Sequence, residues 1–416
     1  MVEYQMWLTL YHCLGRIKLL SIGPNLLASQ PRDKLIKKIE GGKRLSKFYD
    51  EARSFGEKYL APFAKEADQK GAFPREAIQA LRENGYFGLV IPEAYGGQGQ
   101  DIGAHAEVCT ALAEWDASAT LCYMMSNVGA YCLSLYAGEE LKQEILPKVA
   151  SGEAILASAY SETGNGTHFY LPEMEEVTED GYSILNGRKS FVTTAREADY
   201  YLTISRNVDD GSTNLWVVPS NTEGLSFESN YDGVGLRGNV SDPMILKDAK
   251  IDHFYRIQGN GDGDRLIFLV GLASSSAGIA MAIAREATRY VKERTYSNGR
   301  SLGEIETVET NLAELYARAY AARETLFAAA YNVQSGAEDG FQNVNAARIV
   351  TTSAAVKNGS QGMRLVGGIG YVRGKNPMER LMRDSLGAQV MAPGYDVLRV
   401  WLGRQLVGLP YLKGID

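Results

Sequence analysis

Apolar and polar positions divide the chain into three textures. From about residue 45 to 150 the apolar residues recur at helical spacing. Ile78 and Leu81 share the inner face of a segment that opens at Phe73-Pro74-Arg75-Glu76, with proline in its first turn, and closes at Asn84-Gly85. Helices are predicted over 103–114 and 118–136. A further one opens at Gly138-Glu139-Glu140, where acids suit the positive end of the helix dipole, and meets Pro147. Between them IPEAYGGQG, residues 91–99, is too rich in glycine for helix. From Ala154 short β-type runs take over: AILASAY, YSILN, SFVTT, YYLTIS, LWVVP, LSFES and PMILKDAKI. Turn residues such as Glu179-Asp180-Gly181 and Asp209-Asp210-Gly211-Ser212 part them, which predicts an antiparallel sheet or small barrel near residues 155–255. Helical texture returns at about Asp264 and lasts to the end. The run 266–296 is rich in Ala and Ser on one side, as close helix packing requires. The class is therefore α+β, with expected segments 1–45 (an extension), 46–153 (helical), 154–258 (β) and 259–416 (helical).

Composition narrows the function classes. With 416 residues, 45% hydrophobic and 22% charged, the chain has ample length for a buried core. A net charge of −7 argues against binding nucleic acid. The four cysteines (Cys13, Cys109, Cys122, Cys132) show no CxxC spacing and read as core or free thiols of a reducing, cytoplasmic compartment. Four scattered histidines (His12, His105, His168, His253) predict no metal centre. No apolar run reaches the roughly 18 residues of a membrane span. The first 25 residues are apolar but lack the basic start and small-residue cleavage site of a secretory signal. An added helix packing on the body is the favoured reading there, and a surface-seeking amphipathic helix the other.

The chemistry-bearing stretch is 364–404, RLVGGIGYVRGKNPMERLMRDSLGAQVMAPGYDVLRVWLGR. Paired glycines allow backbone to approach something flat or charged. Glu379, Arg380, Arg383 and Asp384 charge the next helix, and Pro393-Gly394 breaks it. The stretch resembles the C-terminal signature of the acyl-CoA dehydrogenase family. Four more segments resemble that family in the right order: Tyr95-Gly96-Gly97, SAYSETGNGT (158–167), NGRKSFVT (186–193) and Gly235-Leu236-Arg237-Gly238-Asn239. The resemblance covers nearly all of the chain beyond residue 45. It implies an N-terminal helical domain, a middle β domain and a C-terminal four-helix bundle.

It also implies FAD, a flat amphipathic ring that needs an aromatic cover and hydrogen bonds at its polar edge. Phe191 stands at the cover position, Thr193 where a hydroxyl bonds near N5, and Ser161 at the pyrimidine edge, with Tyr160 beside it as a further cofactor-binding residue. Gly166 and Thr167 stand near the ribityl-pyrophosphate. Arg294, Arg364, Gly367 and Gly368 match the place where a neighbouring subunit holds the adenine end, with Arg364 standing where glutamine is usual. A homotetramer, an acyl-CoA substrate and an electron-transfer flavoprotein as acceptor follow from the same resemblance.

The proton-abstracting residue departs from the pattern. The family's glutamate stands eight residues beyond the Arg-Asp pair, and here that position is Ala392. Some members instead supply a glutamate directly before an arginine in the long middle helix. Asp264-Arg265 opens that helix here, but ungapped matching of Gly278, Tyr290 and Arg294 puts Phe268 at the base position, four residues later. Asp264 therefore reads either as the displaced base or as an ordinary acid at a helix N-terminus. Asp396, one turn beyond Ala392, is the next candidate, and Glu162 reads as structural. The expected activity is α,β-dehydrogenation of an acyl-CoA thioester. A flavin hydroxylase or a CoA-thioester lyase that needs no carboxylate stands beside it, and a non-catalytic flavin- or CoA-binding assembly protein is the third reading.

Overall fold

The computed structural model describes residues 47–164, 171–229, 231–259 and 263–411. The N-terminal extension, Gly166 and Thr167 lie outside the described residues. Six helices come first: α1 (Lys47–Tyr59), α2 (Ala61–Lys70), α3 (Arg75–Glu83), α4 (Ile102–Ala113), α5 (Ala117–Tyr136) and α6 (Glu139–Ala150). Local sequence explains their ends. Asp101 caps α4 by accepting from the Ala104 N–H at 2.8 Å, and Asp116 caps α5 by accepting from Ser118 and Ala119 at 2.9 and 3.1 Å. Gly71 closes α2 at φ +59°, a left-handed conformation that favours glycine. Both α4 and α5 are buried on nearly every face, which is why they lack a polar stripe.

The middle of the chain forms one eight-stranded sheet. Its strands are β1 (Leu156–Ala159), β2 (Glu175–Thr178), β3 (Tyr182–Val192), β4 (Tyr200–Asn207), β5 (Thr213–Pro219), β6 (Leu225–Phe227), β7 (Asp242–Asp252) and β8 (Arg256–Ile257). The order is β6-β7-β3-β2-β4-β5-β8, with β1 also paired to β4. The expected antiparallel sheet is in fact mixed, because β4 pairs in parallel with both β1 and β2. The runs YSILN and SFVTT, read as separate, join in the single strand β3. Asn186-Gly187 makes no turn there; the register with β7 slips between Leu185 and Gly187, and a Cβ on Gly187 would lie 2.8 Å from the Met174 backbone.

The second helical part contains α7 (Gly263–Glu293), α8 (Glu306–Gln334), α9 (Gly340–Val366), the short α10 (Gly368–Tyr371), α11 (Met378–Val390) and α12 (Tyr395–Leu406). Helices α7, α8, α9 and α11 pack as a bundle, and α7 also lies against α4 and α5. The small residues of α7 are what allow that contact. A Cβ on Gly278 would meet the Thr110 carbonyl oxygen at 2.4 Å, and Ser274, Ser275 and Ser276 are buried. Helix α7 is long and apolar enough to cross a membrane, but most of it is buried inside the protein, as befits a core helix.

The Arg-Asp pair of α11 ties the three parts together. Arg383 grips both oxygens of Asp68 on α2, at 2.8 and 2.7 Å, and donates to the Val234 carbonyl. Asp384 accepts from the Leu236 N–H at 2.7 Å, and Arg237 donates to the Asp68 carbonyl. Burial opposes the charge on Arg383, but Asp68 and Glu379 more than offset it and raise its pKa. Burial pushes the Asp384 carboxyl up to about 6, against the pull of Arg380. Two of the family-like segments thus act as structural joints: backbone approach at Gly235 is so close that a Cβ would lie 2.4 Å from Arg383.

Candidate active site

The end of β3 and the loop after β1 form one wall. The Ser190 N–H donates to the Ser161 carbonyl at 2.7 Å, and the Ser190 and Thr163 hydroxyls lie 3.0 Å apart. This stitching brings Ser161 beside Phe191 and Thr193. Glu162 anchors the loop from beneath: it accepts from Lys189 at 2.6 Å and from the Glu173 and Met174 N–H groups. Lys189 is fully buried; burial lowers its pKa to about 8 while Glu162 opposes the shift, and its second bond goes to the Ile204 carbonyl. Glu162 is structural in this arrangement, as expected.

Phe191 is 66% exposed at this wall, although its neighbours Val192 and Thr194 are fully buried. An apolar ring left in water beside hydroxyl groups suits a flat ligand that covers it. The residues present therefore fit FAD. The Thr193 hydroxyl lies 3.1 Å from that of Ser241, and Ser241 donates to Asn239 Oδ1 at 3.0 Å. Sequence reading missed Ser241. Its signal was weak: only the pairing of Val192 with Asp242 across β3 and β7 brings it to Thr193.

Tyr160, next to Ser161 after β1, leads to the mouth of α7. Asp264 sits in the first turn, and the Tyr160 hydroxyl reaches its Oδ2 at 3.5 Å. The Gly263 N–H donates to the Tyr136 hydroxyl at 3.0 Å, and Arg265 donates to that of Tyr411 at 3.1 Å. Burial pushes the Cys132 thiol up, and the negative charge of Asp264 adds to the shift, which places the two in one neighbourhood. Phe268 is partly buried and packs against the core. Ala392 lies in the turn between α11 and α12, and Asp396 follows as a surface acid, 88% exposed and paired with Arg399 at 3.2 Å.

The remaining positions lie on the bundle. Arg294 follows α7 and Arg364 ends α9; both are exposed. Neither forms a side-chain hydrogen bond or ion pair among the described residues. Gly367 has φ +70°, and a Cβ on it or on Gly368 would meet nothing within 4 Å. Tyr371 beside them is 81% exposed. Among the described residues of one chain these groups make no hydrogen bond to the Phe191 wall.

Comparison with known proteins agrees with this architecture. Residues 43–153 match the acyl-CoA dehydrogenase N-terminal domain, residues 157–249 the middle domain and residues 270–406 the C-terminal domain. An acyl-CoA dehydrogenase of Bacillus subtilis is 27% identical over 366 residues, covering 86% of this chain and 96% of that one. The butyryl-CoA dehydrogenase of Megasphaera elsdenii superposes with a TM-score of 0.80 at 25% identity, over 86% of this chain and 97% of that one. A chain from structural work on the electron transferring flavoprotein of Acidaminococcus fermentans superposes with a TM-score of 0.81 at 25% identity, with the same coverage. The chain belongs to the acyl-CoA dehydrogenase family. It is accordingly an FAD-dependent flavoprotein oxidoreductase.

Proposed function

We propose that the protein oxidises an acyl-CoA thioester at its α,β bond, with Asp264 as the base that takes the α proton. Bound FAD supplies the electron acceptor, and the rest of the task falls to side chains. An α proton next to a thioester is weakly acidic, so removing it needs a carboxylate in a partly desolvated position. The observation that carries the reading is the meeting of Tyr160 and Asp264 at the α7 mouth, while Ala392 offers no carboxylate and Asp396 points its charge into solvent beside Arg399. Phe191, Ser161 and Thr193 would hold the flavin ring, with Thr193 facing N5. Arg294, Arg364 and the Gly367-Gly368 backbone would hold the adenine end contributed by a second copy. That sharing supports a homotetramer, because a cofactor bridging chains stabilises their association. An electron-transfer flavoprotein as acceptor and a cytoplasmic location complete the proposal.

The vacancy at Ala392 also supports a second reading, a flavin hydroxylase or a CoA-thioester lyase that needs no carboxylate. One experiment separates them. The purified yellow holoprotein is mixed with a panel of acyl-CoAs under nitrogen. Bleaching of the flavin by one member supports the dehydrogenase. A flavin that stays oxidised with every acyl-CoA, yet turns over with an external reductant and oxygen, overturns it in favour of the hydroxylase.

A further inference from the structure

Proton bookkeeping on the hydroxyl chain at Thr193 decides which face of that hydroxyl is left for a ligand. Asn239 Oδ1 is an acceptor only, so the Ser241 hydroxyl spends its single proton on it at 3.0 Å. In the 3.1 Å contact between Thr193 and Ser241, the donor must then be Thr193. Thr193 is left with lone pairs alone to offer outward.

The chain of bonds is held from both sides. Thr194 and Val240 flank the two hydroxyls, and both β-branched residues have left-handed backbones, at φ 69° and 45°. That conformation is costly for such side chains and persists only where neighbours over-determine it. Here the Thr194 N–H donates to the Asn239 carbonyl at 3.0 Å and the Ala195 N–H to that of Val240 at 3.3 Å, locking one loop to the other. Asn239 is 4% exposed and Ser241 5%, so water does not compete freely for their bonds.

We infer that Ser241, through Thr193, is a positioning residue that favours reduced over oxidised flavin. The inference rests on the reading that Thr193 faces N5. Oxidised N5 carries a lone pair and needs a donor, whereas reduced N5 carries a hydrogen and needs an acceptor. A Thr193 hydroxyl whose proton is committed to Ser241 suits the second state. To serve the first it must turn its proton away from Ser241 and break the chain. The expected consequence is a flavin midpoint potential held higher than Thr193 alone would set it.

The test is the midpoint potential of the purified holoprotein, measured by dye-coupled anaerobic reduction. Ser241→Ala frees the Thr193 proton for oxidised N5. Gaining one net hydrogen bond should move the equilibrium by up to about tenfold, or about 1.4 kcal/mol, toward oxidised flavin. For a two-electron couple that is a fall of about 30 mV. Ser241→Thr keeps the hydroxyl and should hold the wild-type potential. In a Thr193→Val background Ser241→Ala should have no effect, because the coupling runs through Thr193. An unchanged or raised potential in Ser241→Ala, or the same fall in the Thr193→Val background, overturns the inference. The underlying reading fails separately: Thr193→Val alone would then leave the potential where it was.

Discussion

The two walls of the site hold their polar groups in different ways. On the sheet side two of the residues noted for the flavin, Ser161 and Thr193, are stitched to neighbours. Ser161 is tied to Ser190, and Thr193 to Ser241 and Asn239, with the Lys189–Glu162 pair beneath. On the α7 side the bond that reaches the candidate carboxylate is long, with Tyr160 meeting Asp264 at 3.5 Å. A hydrogen bond of that length in a ligand-free protein is expected to tighten only when substrate excludes water. If Asp264 is the base, the contrast teaches that this chain keeps the sheet wall and supplies its proton acceptor from a different element. A flat ligand needs a shaped sheet edge made of many groups, whereas proton removal needs one carboxylate.

Substitutions on either wall can break this contrast. The largest effect is expected from Asp264→Asn, which keeps shape and removes the proposed base. Anaerobic reduction of the flavin by substrate should slow by about 10² to 10⁴, with flavin content and spectrum unchanged. Asp264→Glu should keep part of the activity. If Asp264→Asn bleaches as fast as wild type in a stopped-flow trace, the α7 wall has no catalytic carboxylate at Asp264.

Next in size is the joint that links α2, residues 234–237 and α11. Arg383→Met leaves Asp68 and Glu379 buried without their cation. The unfolding free energy in urea should fall by about 3–5 kcal/mol. A loss below about 1 kcal/mol would mean that the three parts are not held together there.

Arg294→Ala probes the bundle. Loss of one charge-assisted contact should weaken FAD retention by about tenfold to a hundredfold. Sedimentation should show the oligomer loosening in step. A monomeric variant with full flavin occupancy would break the link between cofactor and assembly.

The joint also predicts a pH dependence. The Asp384 carboxyl titrates at about 6 in the folded chain because it is buried, above its ordinary value of 3.8. Between these values the folded state binds more protons than the unfolded one, so stability falls as pH rises from about 4 to 6 and is lowest above that window. Arg380 and Arg383 on the same helix, Asp68, the Leu236 N–H and Tyr231 face this group. Asp384→Asn can still accept from Leu236 and should remove this component from the curve of Tm against pH; a curve that keeps its slope assigns it to other groups.

The smallest effect is expected at Ala392. With a base elsewhere, Ala392→Glu should change the rate of substrate-driven flavin reduction by less than about tenfold. A gain of a hundredfold or more, the size of an added general base, would show that the α7 wall supplies none.

Sequence alone determined the order helix, sheet, helix. Apolar spacing and punctuation by Pro74, Asn84-Gly85 and Asp209–Ser212 are local properties, and local hydrogen bonding and backbone restriction act on neighbours in the chain. It also marked Phe191, Thr193, Asp264 and Ala392 as positions to question. Tertiary structure alone decided the rest. Whether Asn186-Gly187 turns or continues depends on β7 pairing across it and on Met174 pressing against Gly187. Which acid faces the interior and which faces water, Asp264 or Asp396, depends on packing between helices distant in sequence. The Ser241–Thr193 bond joins residues 48 apart, and the Arg383–Asp68 pair residues 315 apart. Such contacts leave no periodic trace in a sequence, because their partners are fixed by the fold of the whole chain and not by the spacing of neighbours.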